Sequence, residues 1–77
     1  MAKTIFTAEH RRFVEALRDF RKSKSVTQEE LSALLKRGQS YISNIERGQR
    51  RLDVIEFSDI ARALGEDPVS LYAKLII

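Results

Sequence analysis

Seventy-seven residues, 43% hydrophobic and 32% charged, have the composition of one globular domain with a modest core, spanning residues 1–77, and not of a disordered chain. With no cysteine and a single histidine there is no material for a disulfide framework or for a thiolate or imidazole metal site, so no metal and no cofactor is expected and a reducing, cytoplasmic setting is implied. The formal net charge of +3 is uneven: residues 1–51 hold twelve Lys/Arg against six Asp/Glu, and residues 52–77 hold two against five, so only the front of the chain suits a polyanion.

Residues 1–6 contain no apolar leader, and no stretch approaches the roughly 18 apolar residues of a membrane span, so no membrane partner is expected. The chain then reads as consecutive short helices. The first follows Thr7 as N-cap and runs to about Lys24, with Phe13, Val14, Leu17 and Phe20 forming an apolar stripe. Thr27-Gln28-Glu29-Glu30 is a capping box that opens a second helix, whose apolar face is Leu31, Leu34 and Leu35. Lys36-Arg37-Gly38 breaks that pattern after about two turns. A third helix is expected from Gln39 to Arg47, with Ile42 and Ile45 inward, and Gly48 ends it. After the basic connector Gln49-Arg50-Arg51, a second capping box, Asp53-Val54-Ile55-Glu56, opens a fourth helix through Val54, Phe57, Ile60, Ala61 and Leu64. Asp67-Pro68 starts a fifth, carrying Val69, Leu71, Tyr72, Leu75 and Ile76 on its apolar side. No segment alternates strictly, so no strand is expected.

Two short helices joined by a tight turn, the second with a row of short polar side chains outward, form a helix-turn-helix pattern, here over about residues 27–47. An α-helix fits the DNA major groove, where amide and hydroxyl groups match the donors and acceptors of base edges. Gln39, Ser40, Ser43 and Asn44 supply that face, with Tyr41 near the rim, while Glu46 falls toward the core.

Thr27-Gln28-Glu29-Glu30-Leu31, Tyr41-Ile42-Ser43-Asn44-Ile45-Glu46-Arg47-Gly48 and Ala61-Arg62-Ala63-Leu64-Gly65-Glu66-Asp67-Pro68 together resemble the phage lambda repressor and Cro-like domains, the XRE family, over about residues 11–73. The resemblance implies an all-α, five-helix fold, dimers on palindromic operators, double-stranded DNA as partner and no catalysis. It implies base contacts from Gln39, Ser40 and Asn44, with Ser43 beside them and Tyr41 able to touch either a thymine methyl or the backbone. Phosphate contacts are implied for Thr27 and Gln28 at one flank and for Arg47, Gln49, Arg50 and Arg51 at the other. Arg21 and Glu46 match a pair that in similar domains is a largely buried salt bridge tying the first helix to the third.

The chain departs from the family pattern at the turn. Lys36 replaces a glycine, Arg37 a small apolar residue and Gly38 a Ser/Thr cap, and Ser25 replaces the glycine that commonly ends the first helix. Either Lys36 is left-handed, at a cost of about 1 to 2 kcal/mol, or the turn is reshaped; in both cases Lys36 and Arg37 add positive charge beside the DNA.

Val69, Leu71, Tyr72, Leu75 and Ile76 are more apolar surface than the end of so small a domain easily buries. The segment 68–77 either docks on its own core or meets a twin, and a homodimer interface is the favoured expectation, since helix-turn-helix dimers read half-sites about 34 Å apart. The leading functional expectation is a sequence-specific transcriptional repressor or autoregulator. The alternatives are an antitoxin or protein-interaction adaptor with a protein partner, such as a toxin or RNA polymerase, on the same fold. No nucleophile and base pair appears, so no enzyme is expected.

Overall fold

The computed structural model describes residues 7–77, so the reading of residues 1–6 lies outside the described residues. Among the described residues five helices follow one another: α1 (Ala8–Ser23), α2 (Gln28–Leu34), α3 (Tyr41–Glu46), α4 (Val54–Ala63) and α5 (Pro68–Ile76). Among the described residues there is no strand, and no helix is long and apolar enough to cross a membrane.

Four of the five helices start where a side chain can satisfy their unpaired amides. The Thr7 hydroxyl accepts from the amide of His10, and the Asp67 carboxylate accepts from that of Ser70 ahead of Pro68. Thr27 with Glu30 and Asp53 with Glu56 close both halves of their capping boxes. α3 is the exception: it starts at Tyr41, later than the expected Gln39, and its N-cap Ser40 makes no side-chain bond. Its amides are met from elsewhere, that of Tyr41 by the Gly38 carbonyl at 3.1 Å and that of Ile42 by the buried Ser32 hydroxyl of α2 at 3.4 Å. A helix of six residues has no stability of its own, so α3 exists because its neighbours hold it.

One core joins all five elements. Val14 and Leu17 of α1, Leu31 of α2, Ile42 and Ile45 of α3, Phe57, Ile60 and Ala61 of α4 with its C-cap Leu64, and Leu71 of α5 are buried together. Phe13, Phe57 and Tyr72 pack as an aromatic triad with ring centroids 5.6 to 6.1 Å apart. α3 packs against α1 and α2, and α5 against α1 and α4.

Three apolar assignments are corrected. Leu34 is 60% exposed and Val54 77% exposed, because α2 and α4 are each held by a narrower stripe than their apolar content suggests. Leu71 is fully buried at 0% exposure in the protein's own core, so it is removed from any dimer interface. Leu75 is partly buried against the same core.

The turn after α2 keeps its left-handed residue. Lys36 sits at φ 57°, with its amide on the Ala33 carbonyl at 3.0 Å and the Arg37 amide on the Ser32 carbonyl at 2.9 Å, the two bonds that close the end of a helix. Ser25 does the same after α1, at φ 58°. These bonds outweigh the strain, which is why the turn is not reshaped. Lys36→Gly is expected to raise stability by about 1 kcal/mol, the relief of strain less the extra entropy glycine brings to the unfolded chain. A thermal unfolding midpoint that does not rise would contradict this.

Candidate nucleic-acid interface

The outer face of α3 is built from the inside. Ile42 and Ile45 are 2% and 1% exposed, and at helical spacing this turns Ser43, Asn44 and Arg47 away from the core. Gln39 and Ser40 lie in the exposed turn just ahead of α3 and not on the helix itself. Gln39, Ser40 and Ser43 nevertheless share one solvent-open depression with Gln28 and Glu29 at the start of α2. The structure thus brings the amide and hydroxyl groups of both helices to one surface.

Asn44 is half-buried, and its Oδ1 accepts from Nη2 of Arg47 at 2.7 Å. Arg47 is therefore both an exposed cation and the group that orients the Asn44 amide. Gln49 and Arg51 are exposed on the connector beyond α3. The connector turns away from the helix at Gly48, whose φ of 74° places the Gln49 amide on the Asn44 carbonyl at 2.9 Å.

Behind α3 lies the Arg21–Glu46 pair. Nε of Arg21 donates to Oε2 of Glu46 at 2.7 Å and Nη2 to Oε1 at 3.1 Å, with the side chains 7% and 5% exposed. Nη1 of Arg21 donates to the Val26 carbonyl at 2.7 Å, and Nε2 of Gln28 donates to Oε1 of Glu46 at 2.8 Å. One carboxylate on the last turn of α3 thereby ties together α1, α2 and the loop between them. Gln28, expected at a phosphate, uses one amide hydrogen on this network and keeps the other for a partner. Thr27 uses its hydroxyl oxygen as cap acceptor, which leaves its proton to donate.

At the rim of α3, the guanidinium carbons of Arg37 and Arg50 lie 4.5 and 4.8 Å from the Tyr41 ring centroid, within cation–π range. Arg50 is also held bidentately by Glu56 of α4, Nη1 to Oε1 at 3.0 Å and Nη2 to Oε2 at 2.8 Å. That hydrogen bond holds Glu56 below the usual carboxylate range. Burial, with the Glu56 charge adding to it, pushes the Tyr41 hydroxyl above its ordinary value. Lys36 stands exposed one residue before this group.

Sequence reasoning missed three contributors. Ser32 supplies the α3 amide with an acceptor, Glu56 gathers the rim cations, and Glu29 brings a carboxylate to the polar depression. Ser32 carried a faint signal, as a small polar residue between apolar positions; the other two read in sequence as ordinary first-turn acids. Among the described residues no cluster could hold a metal ion.

Comparison with known proteins identifies the family. The chain is 43% identical over 51 residues to an uncharacterised HTH-type transcriptional regulator, y4dJ, of Sinorhizobium fredii, a match that spans 66%, just under two thirds, of each protein. Among solved structures it superposes on an XRE-family like protein from Pseudomonas syringae with a TM-score of 0.81 and 44% identity, covering 88% of this chain and 83% of that one. It also superposes on the clp gene regulator ClgR of Corynebacterium glutamicum with a TM-score of 0.76 and 26% identity, covering 95% and 94%. The family model described as helix-turn-helix matches residues 17–71, which include the whole of α2 to α4 and the depression between α2 and α3. With that match, the all-helical five-element fold and the polar outer surface of α3, the chain belongs to the XRE-like helix-turn-helix family of DNA-binding transcription regulators.

Proposed function

We propose that this protein is a homodimeric repressor or autoregulator that reads a palindromic operator with α3. The observation that carries this reading is the solvent-open row of Gln39, Ser40 and Ser43, with the half-buried Asn44 beside it, propped outward by the buried Ile42 and Ile45 and bordered by Arg47. In this reading these four residues and Tyr41 meet base edges. Thr27 and Gln28 on one side, and Lys36, Arg37, Arg47, Gln49, Arg50 and Arg51 around the rest, meet phosphates or position the groups that do.

The dimer rests on α5. Val69, Tyr72 and Ile76 are 78%, 50% and 56% exposed, and Ile77 follows them uncovered. Tyr72 and Ile76 also edge an open cavity of about 400 Å³, which Phe13 and Leu75 line on one side and Glu9, His10 and Arg12 on the other. The interface is therefore Val69, Tyr72, Ile76 and the exposed part of Leu75, without Leu71.

Selection from random duplexes tests both halves of the proposal. A homodimer is expected to enrich two inverted half-sites with centres about 34 Å, one DNA turn, apart. Enrichment of a lone half-site would remove the dimer, and absence of any enrichment would remove sequence-specific regulation and leave the adaptor reading.

A further inference from the structure

We infer that the three charged groups gathered around Tyr41 divide their labour: Arg37 is the cation that grips a phosphate, and Arg50 is a positioning residue, held by Glu56 to fix the start of α3. This rests on the DNA-binding reading above.

The two arginines differ in how many of their donors are already engaged. A guanidinium carries five N–H donors. Nη1 of Arg50 donates both to the Arg51 carbonyl at 3.0 Å and to Oε1 of Glu56 at 3.0 Å, and Nη2 donates to Oε2 of Glu56 at 2.8 Å. Its charge is matched by a carboxylate only 13% exposed, which also accepts from the Asp53 amide at 3.1 Å and so cannot swing away without opening the cap of α4. Nε–H and one Nη2 hydrogen are left of the five, but a phosphate drawn to them would compete with Glu56 for a charge already matched, in effect exchanging one anion for another. That exchange gives little net gain, because the counterion that would be released is a covalently attached one.

Arg37 is in the opposite condition. Its Nη2 approaches Oε2 of Glu56 only to 3.8 Å, beyond hydrogen-bond distance, and none of its five donors is engaged in a hydrogen bond to a described residue. Its side chain is the more exposed of the two, at 45% against 37%. Yet it is not loose, since its guanidinium stacks on the Tyr41 ring at 4.5 Å and feels the Glu56 charge. An exposed cation with open donors and a restrained head is preorganised for an oxyanion, and binding loses less conformational entropy there than at a free arginine. Glu56 thereby links α4 to the rim of the recognition surface: it holds Arg50, both arginines sit on Tyr41, and Tyr41 is the first residue of α3.

The test uses the full chain and a duplex recovered from the selection above, titrated across a range of salt. Arg37→Gln is expected to shrink the log–log salt slope by about 0.9, the loss of one phosphate contact. Arg50→Gln is expected to weaken binding while leaving that slope at the wild-type value, which a phosphate ligand could not do. In the absence of DNA, Arg50→Gln and Glu56→Gln, singly and together, are expected to be non-additive in thermal unfolding. Glutamine at position 56 still accepts from the Asp53 amide, so the fold is kept. An Arg50→Gln slope as flat as that of Arg37→Gln, an Arg37→Gln slope equal to wild type, or additive unfolding effects would each overturn the division. If the wild type binds no duplex, the DNA-binding reading falls with it, and a preserved Arg50–Glu56 coupling would show that the ligand was wrong and not the cluster.

Discussion

Arg21→Ala is expected to destabilise the protein by about 3 to 5 kcal/mol, the largest loss available from any single charged side chain. In a domain of this size each kcal/mol moves the unfolding midpoint by about 4 to 8 °C, so circular dichroism would record a fall of more than about 12 °C. The reason is not that the ion pair is strongly favourable. Removing two charges from water offsets most of their attraction, and what makes the truncation costly is the partner left behind. Among the described residues, Glu46, 5% exposed, would retain only the Gln28 amide as side-chain donor. The Val26 carbonyl would lose its 2.7 Å bond from Arg21 as well. Glu46→Gln should be nearly as damaging, because any placement of the new amide sets an NH2 against one of the Arg21 nitrogens or against Gln28.

A paired replacement separates stability from orientation. Arg21→Met together with Glu46→Leu removes both charges and is expected to recover most of the lost stability, since apolar isosteres of buried pairs are often neutral. DNA affinity should not recover with it, because the tie that sets α3 against α1 is gone. A single Arg21→Ala variant that unfolds within a degree or two of wild type would show the pair to be solvated. Full recovery of binding in the double variant would show that packing alone aims the helix.

The second large effect is on specificity. Asn44→Ala is expected to lower discrimination at one base pair of the operator by about 1 to 3 kcal/mol while leaving the salt slope unchanged. An Asn amide reads adenine by accepting from its N6 amino group and donating to N7, and both ends must be aimed for this to discriminate. Arg47 does the aiming here, since its 2.7 Å bond to Oδ1 fixes which end of the amide is the acceptor and leaves that oxygen a second lone pair. Competition among duplexes carrying all four base pairs at each operator position, at fixed salt, would locate the effect. An unchanged preference profile would place Asn44 outside the read positions.

These expectations show how unevenly the protein can be read from its residues. Thr27 to Glu30 and Asp53 to Glu56 announce their helices, because a capping box is a local device whose partners lie three residues apart. The buried stripe of Val14 and Leu17, and that of Ile42 and Ile45, follows from periodicity in the same way. The start of α3 did not, since its amides are met by Ser32 and Gly38 from outside the helix, and no local pattern records a cap supplied by another element.

Chain-local physics, then, was enough to set the order of five helices, the existence of a helix-turn-helix and the polar character of its second arm. It could not say that Leu71 lies inside while Val54 and Leu34 lie outside, because an amphipathic helix carries more apolar residues than its neighbours cover, and which are covered depends on how the helices cross. Nor could it distinguish Arg37 from Arg50, two guanidinium groups with identical intrinsic chemistry. Only the arrival of Glu56 from α4, six residues beyond Arg50 and nineteen beyond Arg37, neutralises one and leaves the other with open donors. Charge is a property of a residue, whereas its availability is a property of what the folded chain has placed beside it.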